Sequence, residues 1–173
     1  LSGLSVFICH FPDKDIGRFF NVDKYDYVIT NSSYTTHWLK RKWGLDCTLR
    51  LYPPVNMFNN ISDLGEKEKM ILSVARFETG GSKKQLEMID TFLDLCKKDK
   101  HIKKEWKLVL AGGTPKVNPY YDKVKQRAKG MRNIEIAINL NNYEIKQLYS
   151  KASIFWHACG LDENDPHLIE HFG

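Results

Sequence analysis

The run Lys69-Met70-Ile71-Leu72-Ser73-Val74-Ala75 is short and almost entirely apolar, and Arg76 follows it directly. Such a run, without polar alternation, is typical of a strand that is buried on both faces of a parallel sheet. The turn Gly80-Gly81-Ser82 comes next. Apolar residues at helical spacing then follow: Leu86, Ile89, Phe92 and Leu93. This segment therefore predicts a strand, a loop and a helix.

The same alternation continues to the end of the chain. Further apolar, strand-like runs occupy residues 106–111, 133–138 and 153–157. Pro119 is suited to the first turn of a helix. Asn141, with Glu144 three residues later, has the pattern of a helix-capping box. Strands that alternate with helices predict an α/β fold, a Rossmann-like parallel sheet with flanking helices.

The first part of the chain is organised differently. Strand-like runs lie at residues 4–9, 25–30 and 47–52, and a helix is predicted after Asn31-Ser32-Ser33. These elements are too few to close a sheet alone, and a polar stretch follows them. We predict three parts: residues 1–54 from the end of an N-terminal domain, a linker at 55–68, and a ligand-binding domain at 69–173.

Composition excludes several classes of protein. The chain has 173 residues, 42% of them hydrophobic, and a net charge of +5 without a block of basic residues. No apolar run approaches the roughly 18 residues of a membrane span. Four widely spaced cysteines favour a reducing cytoplasm over a disulfide scaffold or a zinc site.

The chain closes on Glu170-His171-Phe172-Gly173, a loop that we expect to lead into a helix, so we expect a piece of a longer protein.

Basic residues flank the loop after the first strand of the predicted ligand-binding domain. Ligands of parallel sheets bind at the carboxyl ends of the strands. Arg76 closes a strand there, and Lys83 and Lys84 open the next helix, whose N-terminus itself favours anions. Cations in this position would stabilise the charge that develops on a diphosphate leaving group. From spacing alone, solvated surface cations remain the alternative.

An ordered set of short motifs covers nearly the whole chain. They are Tyr27-Val28-Ile29-Thr30-Asn31-Ser32-Ser33-Tyr34-Thr35, Pro53-Pro54-Val55, Leu72-Ser73-Val74-Ala75-Arg76-Phe77, Lys83-Lys84-Gln85, Leu110-Ala111-Gly112-Gly113, Glu144 with Leu148-Tyr149 and Ala152, Phe155-Trp156-His157-Ala158-Cys159-Gly160, and Glu170-His171-Phe172-Gly173. In this order the motifs resemble the retaining nucleotide-sugar glycosyltransferases of family 4, which have the GT-B fold of two Rossmann-like domains.

The resemblance implies roles for individual residues. His10 and Glu170 would be catalytic residues in the reaction centre, beside the donor sugar. Arg76, Lys83 and Lys84 would bind the donor phosphates, with Lys83 favoured over Lys84. The loops that approach the donor sugar and nucleotide would contain Gly112, Gly113, Leu140, His171, Phe172 and Gly173.

The resemblance also implies a reaction. A sugar would pass from a nucleoside diphosphate sugar to a hydroxyl of a saccharide or lipid-linked acceptor in cell-surface glycan synthesis, with retention of configuration. We expect a cytoplasmic enzyme of the hexosyltransferase type without a cofactor, metal or nucleic-acid partner. Its mild basic charge is compatible with contact at the cytoplasmic membrane face. We expect the piece to be inactive alone, because its acceptor half and the family's second glutamate are missing.

Two other interpretations compete with a transferase of this fold, and one further motif suggests a metal site. A sugar-nucleotide epimerase shares the two-domain arrangement, and a non-catalytic nucleotide-binding or scaffold domain is the alternative from another class. Asp13-Lys14-Asp15 has the Asp-x-Asp spacing of a divalent metal site. Because that short pattern is common by chance, we do not predict a metal there.

Overall fold

The computed structural model describes residues 3–12, 21–55, 66–78 and 80–170. They form two compact units, one within Leu1–Met57 and Asn164–Gly173 and one within Phe58–Glu163. Each unit is built on a parallel sheet with helices packed against it, which confirms the predicted α/β, Rossmann-like class. Residues 56–65 of the predicted linker lie outside the described residues, as does Asp13-Lys14-Asp15.

The first unit has a three-stranded sheet in the order β1-β2-β3. Its elements are β1 (Val6–Cys9), a short 3₁₀ helix (Val22–Lys24), β2 (Tyr27–Thr30), α1 (Ser33–Trp43) and β3 (Leu49–Arg50). Helix α1 begins after Ser32, whose side chain accepts a hydrogen bond from the amide of Thr35, and it ends at Gly44 in the left-handed conformation. The predicted strands and helix of this region are therefore present, although β3 is shorter than its apolar run.

Within the described residues, one face of this sheet carries a core. Val22 of the first connection and Leu39 and Trp43 of α1 pack together with strand residues on that face. Right-handed crossovers that advance in one direction place their connections on the same side of a sheet. The opposite face presents apolar side chains to solvent: Val6, Ile8, Tyr27 and Leu49.

The second unit has a four-stranded sheet in the order β6-β5-β4-β7. Its elements are β4 (Glu68–Val74), α2 (Gln85–Lys98), α3 (Lys100–Glu105), β5 (Lys107–Gly112), α4 (Pro119–Ala128), β6 (Ile134–Ile138), α5 (Asn142–Lys151) and β7 (Ala152–Phe155). Pro119 begins α4, and Asn141 and Glu144 form a complete capping box at α5. Both sequence predictions are confirmed. Helix α3 was not predicted.

Both faces of the second sheet are covered. Helices α2 and α4 pack on Ile71, Leu108 and Leu110, and α5 packs on the face that carries Met70 and Leu72. The chain advances from β4 to β6 and then returns to place β7 on the other side of β4. This reversal creates a switch point between β4 and β7, and the crevice outside the carboxyl ends of such strands is where open α/β sheets bind ligands.

Candidate functional site

The carboxylate of Glu78 connects the two ends of the loop after β4. The side chain of Arg76 is 79% exposed and donates a 3.0 Å hydrogen bond to Glu78 Oε1. Ser82 Oγ donates to the other carboxylate oxygen, Glu78 Oε2, at 2.7 Å. Glu78 therefore links Arg76, just after β4, to Ser82, which immediately precedes Lys83.

The two lysines at the start of α2 contact the loop that follows β7. Lys83 Nζ lies 3.2 Å from Cys159 Sγ, and Lys84 Nζ lies 2.5 Å from Glu163 Oε1. Lys84 is the N-cap residue of α2, with a left-handed backbone at φ 60°, and its side chain does not form the capping hydrogen bond. The hydrogen bond to Glu163 raises the pKa of Lys84 above its ordinary value. Lys84 is therefore held as an ammonium ion.

A backbone contact strengthens this tie between the loops. The amide of Gly160 donates to the carbonyl oxygen of Ser82 at 3.2 Å. With the two lysine contacts, it joins the loop after β7 to the start of α2 across the switch point. Non-glycine residues with positive φ occur in these loops at Lys84 and Asp162, and also at Asn139 after β6. Backbone conformations of this kind are concentrated at ligand sites.

A cavity of about 480 Å³ opens beside Arg76. Its lining comes from the loops after β4, β5 and β6: Arg76, Phe77, Glu78, Gly113, Thr114, Pro115 and Asn139. Asn139 Oδ1 accepts a 3.1 Å hydrogen bond from the amide of Thr114, which ties two of these loops together. A cavity that is lined by an arginine at the carboxyl edge of a parallel sheet suits an anionic ligand.

Gly112 and Gly113 lie at the end of β5, and they differ in the room around them. A β-carbon on Gly112 would lie 1.9 Å from the carbonyl oxygen of Ala75, whereas the nearest atom to one on Gly113 is 3.8 Å away. The absence of a side chain at Gly112 therefore lets the ends of β4 and β5 approach closely. Leu140 packs against the core that contains Met70 and Leu72.

The remaining predicted residues belong to the first unit or lie outside the described part. His10 is exposed just after β1, and its carbonyl oxygen accepts a hydrogen bond from Thr35 Oγ1. Glu170 is half-buried in a segment whose Pro166 carbonyl oxygen accepts a hydrogen bond from Tyr34 Oη. His171, Phe172 and Gly173 lie outside the described residues. The structure thus gathers Arg76, Lys83, Lys84, Gly112 and Gly113 in the second unit.

Several polar residues of this site were missed by the sequence analysis. They are Glu78, Thr114, Asn139, Cys159 and Glu163. Glu78 contacts residues of its own loop, and Cys159 lies in a quoted motif without an assigned role. The contacts of Thr114, Asn139, Cys159 and Glu163 come from other loops, so no local pattern indicates them. Among the described residues, no group of three or more His, Cys, Asp or Glu side chains is arranged to hold a metal ion. Within the same residues, no helix has the length and apolar character that crossing a membrane requires.

Comparison with solved structures concerns the fold. Three solved structures of α,α-trehalose-phosphate synthases are similar to the chain. The Burkholderia xenovorans and Burkholderia vietnamiensis proteins, both described as UDP-forming, have TM-scores of 0.60, identities of 12% and 13%, and alignments over 88% of this chain and 46% and 47% of theirs. The Burkholderia multivorans protein has a TM-score of 0.63 and 13% identity over 92% of this chain and 47% of its own. At these identities the similarity shows the fold, and the chain spans about half the length of these proteins.

No curated protein gives a significant match to the chain. The model of the family described as glycosyl transferases group 1 matches residues 57–173. That match includes the whole described second unit, with the cavity and the basic loop. Because it extends over more than half of the chain, this protein belongs to the glycosyl transferases group 1 family.

Proposed function

We propose that this chain binds the nucleoside diphosphate sugar of a retaining glycosyltransferase, and that the cavity beside Arg76 receives the nucleotide. The observation that carries the proposal is the arrangement of Arg76 and Lys83 at the two ends of one loop, with a cavity beside Arg76 at the carboxyl edge of a parallel sheet. Family membership supports the reaction class. Retention of configuration follows from the resemblance to family 4.

The two cations suit the chemistry of the leaving group. When the bond between sugar and diphosphate breaks, negative charge accumulates on the diphosphate, and fixed positive charge lowers the energy of that transition state. Arg76 offers a planar guanidinium that can bind phosphate oxygens in pairs. Lys83 supplies a compact charge at the start of α2, where the helix dipole has the same sign. With these groups present, the reaction has no need of a metal or other cofactor.

Lys84 has a different role in this proposal. Its ammonium group pairs with Glu163, and its side chain is only 12% exposed. Leaving this partner for a phosphate would uncover a half-buried carboxylate, which is costly. We therefore assign the phosphate contact to Lys83 and treat Lys84 as the tether of the loop after β7.

The roles of His10 and Glu170 rest on the family resemblance. In the proposed enzyme they act at the donor sugar, together with His171, Phe172 and Gly173. The acceptor is a saccharide or lipid-linked hydroxyl. Because the chain spans about half the length of the similar structures, we propose that transfer requires a longer protein and that this chain retains donor binding only.

Isothermal titration of the chain with UDP and GDP tests the phosphate site. We expect Arg76→Ala and Lys83→Ala each to weaken binding of the better ligand by about 10-fold to 100-fold, since each removes a charge-assisted hydrogen bond. Lys123→Ala is the matched control, because Lys123 is an exposed cation of α4 that does not line the cavity. We expect it to bind as the wild type does.

Two results would contradict the proposal. One is a wild-type chain that binds neither nucleotide at millimolar concentration. The other is equal binding by the wild type, Arg76→Ala and Lys83→Ala, which would place the phosphates elsewhere. A larger loss with Lys84→Ala than with Lys83→Ala would reverse the assignment of the two lysines.

A further inference from the structure

Three polar side chains are buried behind the loop that carries Arg76, although they do not line the cavity. Gln85 is 2% exposed, Asn118 3% and Tyr120 8%. Buried polar groups cost free energy unless they form hydrogen bonds, so their partners reveal what they hold in place. All three are bonded within the second unit.

Gln85 binds the backbone just after the end of β4. Its Nε2 donates to the carbonyl oxygen of Arg76 at 3.1 Å and to that of Ala75 at 3.4 Å. Its Oε1 accepts a 3.2 Å hydrogen bond from Tyr120 Oη, which in turn accepts one from the amide of Leu86. Burial raises the pKa of Tyr120, so the hydroxyl keeps its proton as a donor. Tyr120 thus orients the side-chain amide of Gln85, whose nitrogen binds the carbonyl oxygens of Ala75 and Arg76.

Asn118 binds the next residue of the same segment. Its Nδ2 donates to the carbonyl oxygen of Phe77 at 2.5 Å and to Thr114 Oγ1 at 3.0 Å. Its Oδ1 accepts from the amides of Tyr120 and Tyr121 and so begins α4. The three consecutive carbonyl oxygens after β4 are therefore each held by a buried side-chain amide.

We infer that Gln85, Tyr120 and Asn118 are positioning residues that fix the backbone of Arg76 for phosphate binding. The inference rests on the proposed function. The side chain of Arg76 is long and mostly exposed, so its own contacts do little to locate it. The position of its Cα atom is set by the backbone at residues 75–77. The side-chain amides of Gln85 and Asn118 hold that backbone against the start of α2 and the loop after β5. Small displacements of a binding group from its required position cause large losses in binding or rate.

A merely stabilising role predicts a different result. If the three residues only support the core, removing one would lower the melting temperature and leave nucleotide affinity unchanged in the folded protein. If they act through Arg76, affinity would fall as well, and the loss would depend on the presence of the arginine. A double-mutant cycle separates the two roles.

The experiment compares Gln85→Met, Arg76→Ala and the double variant by titration with UDP and GDP, well below their melting temperatures. Methionine keeps the length of the side chain and removes its hydrogen bonds. We expect Gln85→Met to bind nucleotide about 10-fold more weakly than the wild type, but to cause less than a 2-fold change when Arg76 is already alanine. Val124→Ala, a core change in α4, should lower the melting temperature without changing affinity.

The outcomes distinguish this inference from the proposed function. Equal affinity of Gln85→Met and the wild type, or an equal loss in both arginine backgrounds, would overturn the positioning role. A wild type that binds no nucleotide would overturn the proposed function and the inference with it. If Gln85→Met does not fold, Tyr120→Phe removes only the hydroxyl. This variant should bind nucleotide about 3-fold more weakly when Arg76 is present and show almost no loss when Arg76 is alanine. Unchanged binding by Tyr120→Phe in the presence of Arg76 would also overturn the inference.

Discussion

Gly112 has no room for a side chain, because the end of β5 lies directly against the carbonyl oxygen of Ala75. We expect Gly112→Ala to separate β4 from β5 and to lower the free energy of unfolding by at least about 2 kcal/mol. Gly113→Ala is the matched control, since its β-carbon would meet only Asn139 Oδ1 at an ordinary distance. Urea denaturation measures both variants. Equal losses of stability would contradict the close approach at Gly112.

Glu78 neutralises the arginine that we assign to the donor phosphate. A diphosphate must therefore compete with an internal carboxylate for Arg76. We expect Glu78→Gln to bind UDP or GDP up to about 5-fold more tightly, since exposed ion pairs contribute about 1 kcal/mol or less. Glutamine keeps an acceptor for Ser82. Asp90→Asn removes the same charge from a pair with Arg127 on the helices, and titration should show no effect there. Weaker binding by Glu78→Gln would show that the carboxylate supports the site.

Cys9 illustrates how burial changes the chemistry of a residue. Burial, with a smaller contribution from Cys47, raises the pKa of the Cys9 thiol from 9.0 to about 11. The folded chain keeps this thiol protonated where the unfolded chain ionises it. Its contribution to stability is therefore complete below pH 9 and is lost as the pH rises through 11, up to about 3 kcal/mol. For Cys9→Ala, the free energy of unfolding measured by urea denaturation should decline less steeply between pH 8.5 and 10.5 than for the wild type. An identical decline would contradict the raised pKa.

The pair of Lys84 and Glu163 connects α2 to the loop after β7. Both side chains are largely buried, at 12% and 24% exposed. We expect a double-mutant cycle with Lys84→Met and Glu163→Gln to give a coupling of about 1–2 kcal/mol in unfolding free energy. Because the pKa of Lys84 is raised above its ordinary value of 10.5, this coupling is intact up to that pH and is lost as the pH rises further.

An exposed pair provides the reference for that coupling. Lys40 and Asp46 lie 2.8 Å apart, but their side chains are 57% and 84% exposed. The same cycle there, with Lys40→Met and Asp46→Asn, should give about 0.5 kcal/mol or less, because water screens the charges. Couplings of similar size in the two pairs would show that the loop after β7 is not held by Lys84.

The helices and strands were predictable where local chemistry determines them. Apolar runs gave the positions of β4, β5, β6 and β7 to within about two residues, and Pro119 and Asn141 marked helix starts because caps and fixed φ angles act locally. Helix α3 was missed, since it has no buried residue and its cap is Asp99, adjacent to the preceding helix. The partner of Lys84 was equally hidden, because Glu163 lies 79 positions away in the sequence.

The two sheets differ in a way that no local pattern reveals. Both sheets contain apolar strands, yet among the described residues the second sheet is covered on both faces and the first on one face only. The difference comes from topology. The second unit reverses direction after β6, which sends α5 to the opposite face, whereas the described first unit advances without a reversal. The basic loop between β4 and α2 was predictable as a loop because its residues are close in sequence, whereas the buried side chains that hold it were not.

This difference in coverage predicts the order in which the units open. Amide hydrogen exchange reports the free energy of the opening that exposes each strand. We expect amides of β4 and β5, which have a core on both sides, to exchange at least 10-fold more slowly than those of β2, whose sheet has one open face. Mass spectrometry of peptides that span these strands, referenced to the unfolded chain, measures the ratio. Equal protection of β2, β4 and β5 would mean that the two units unfold as one cooperative structure and would contradict the prediction.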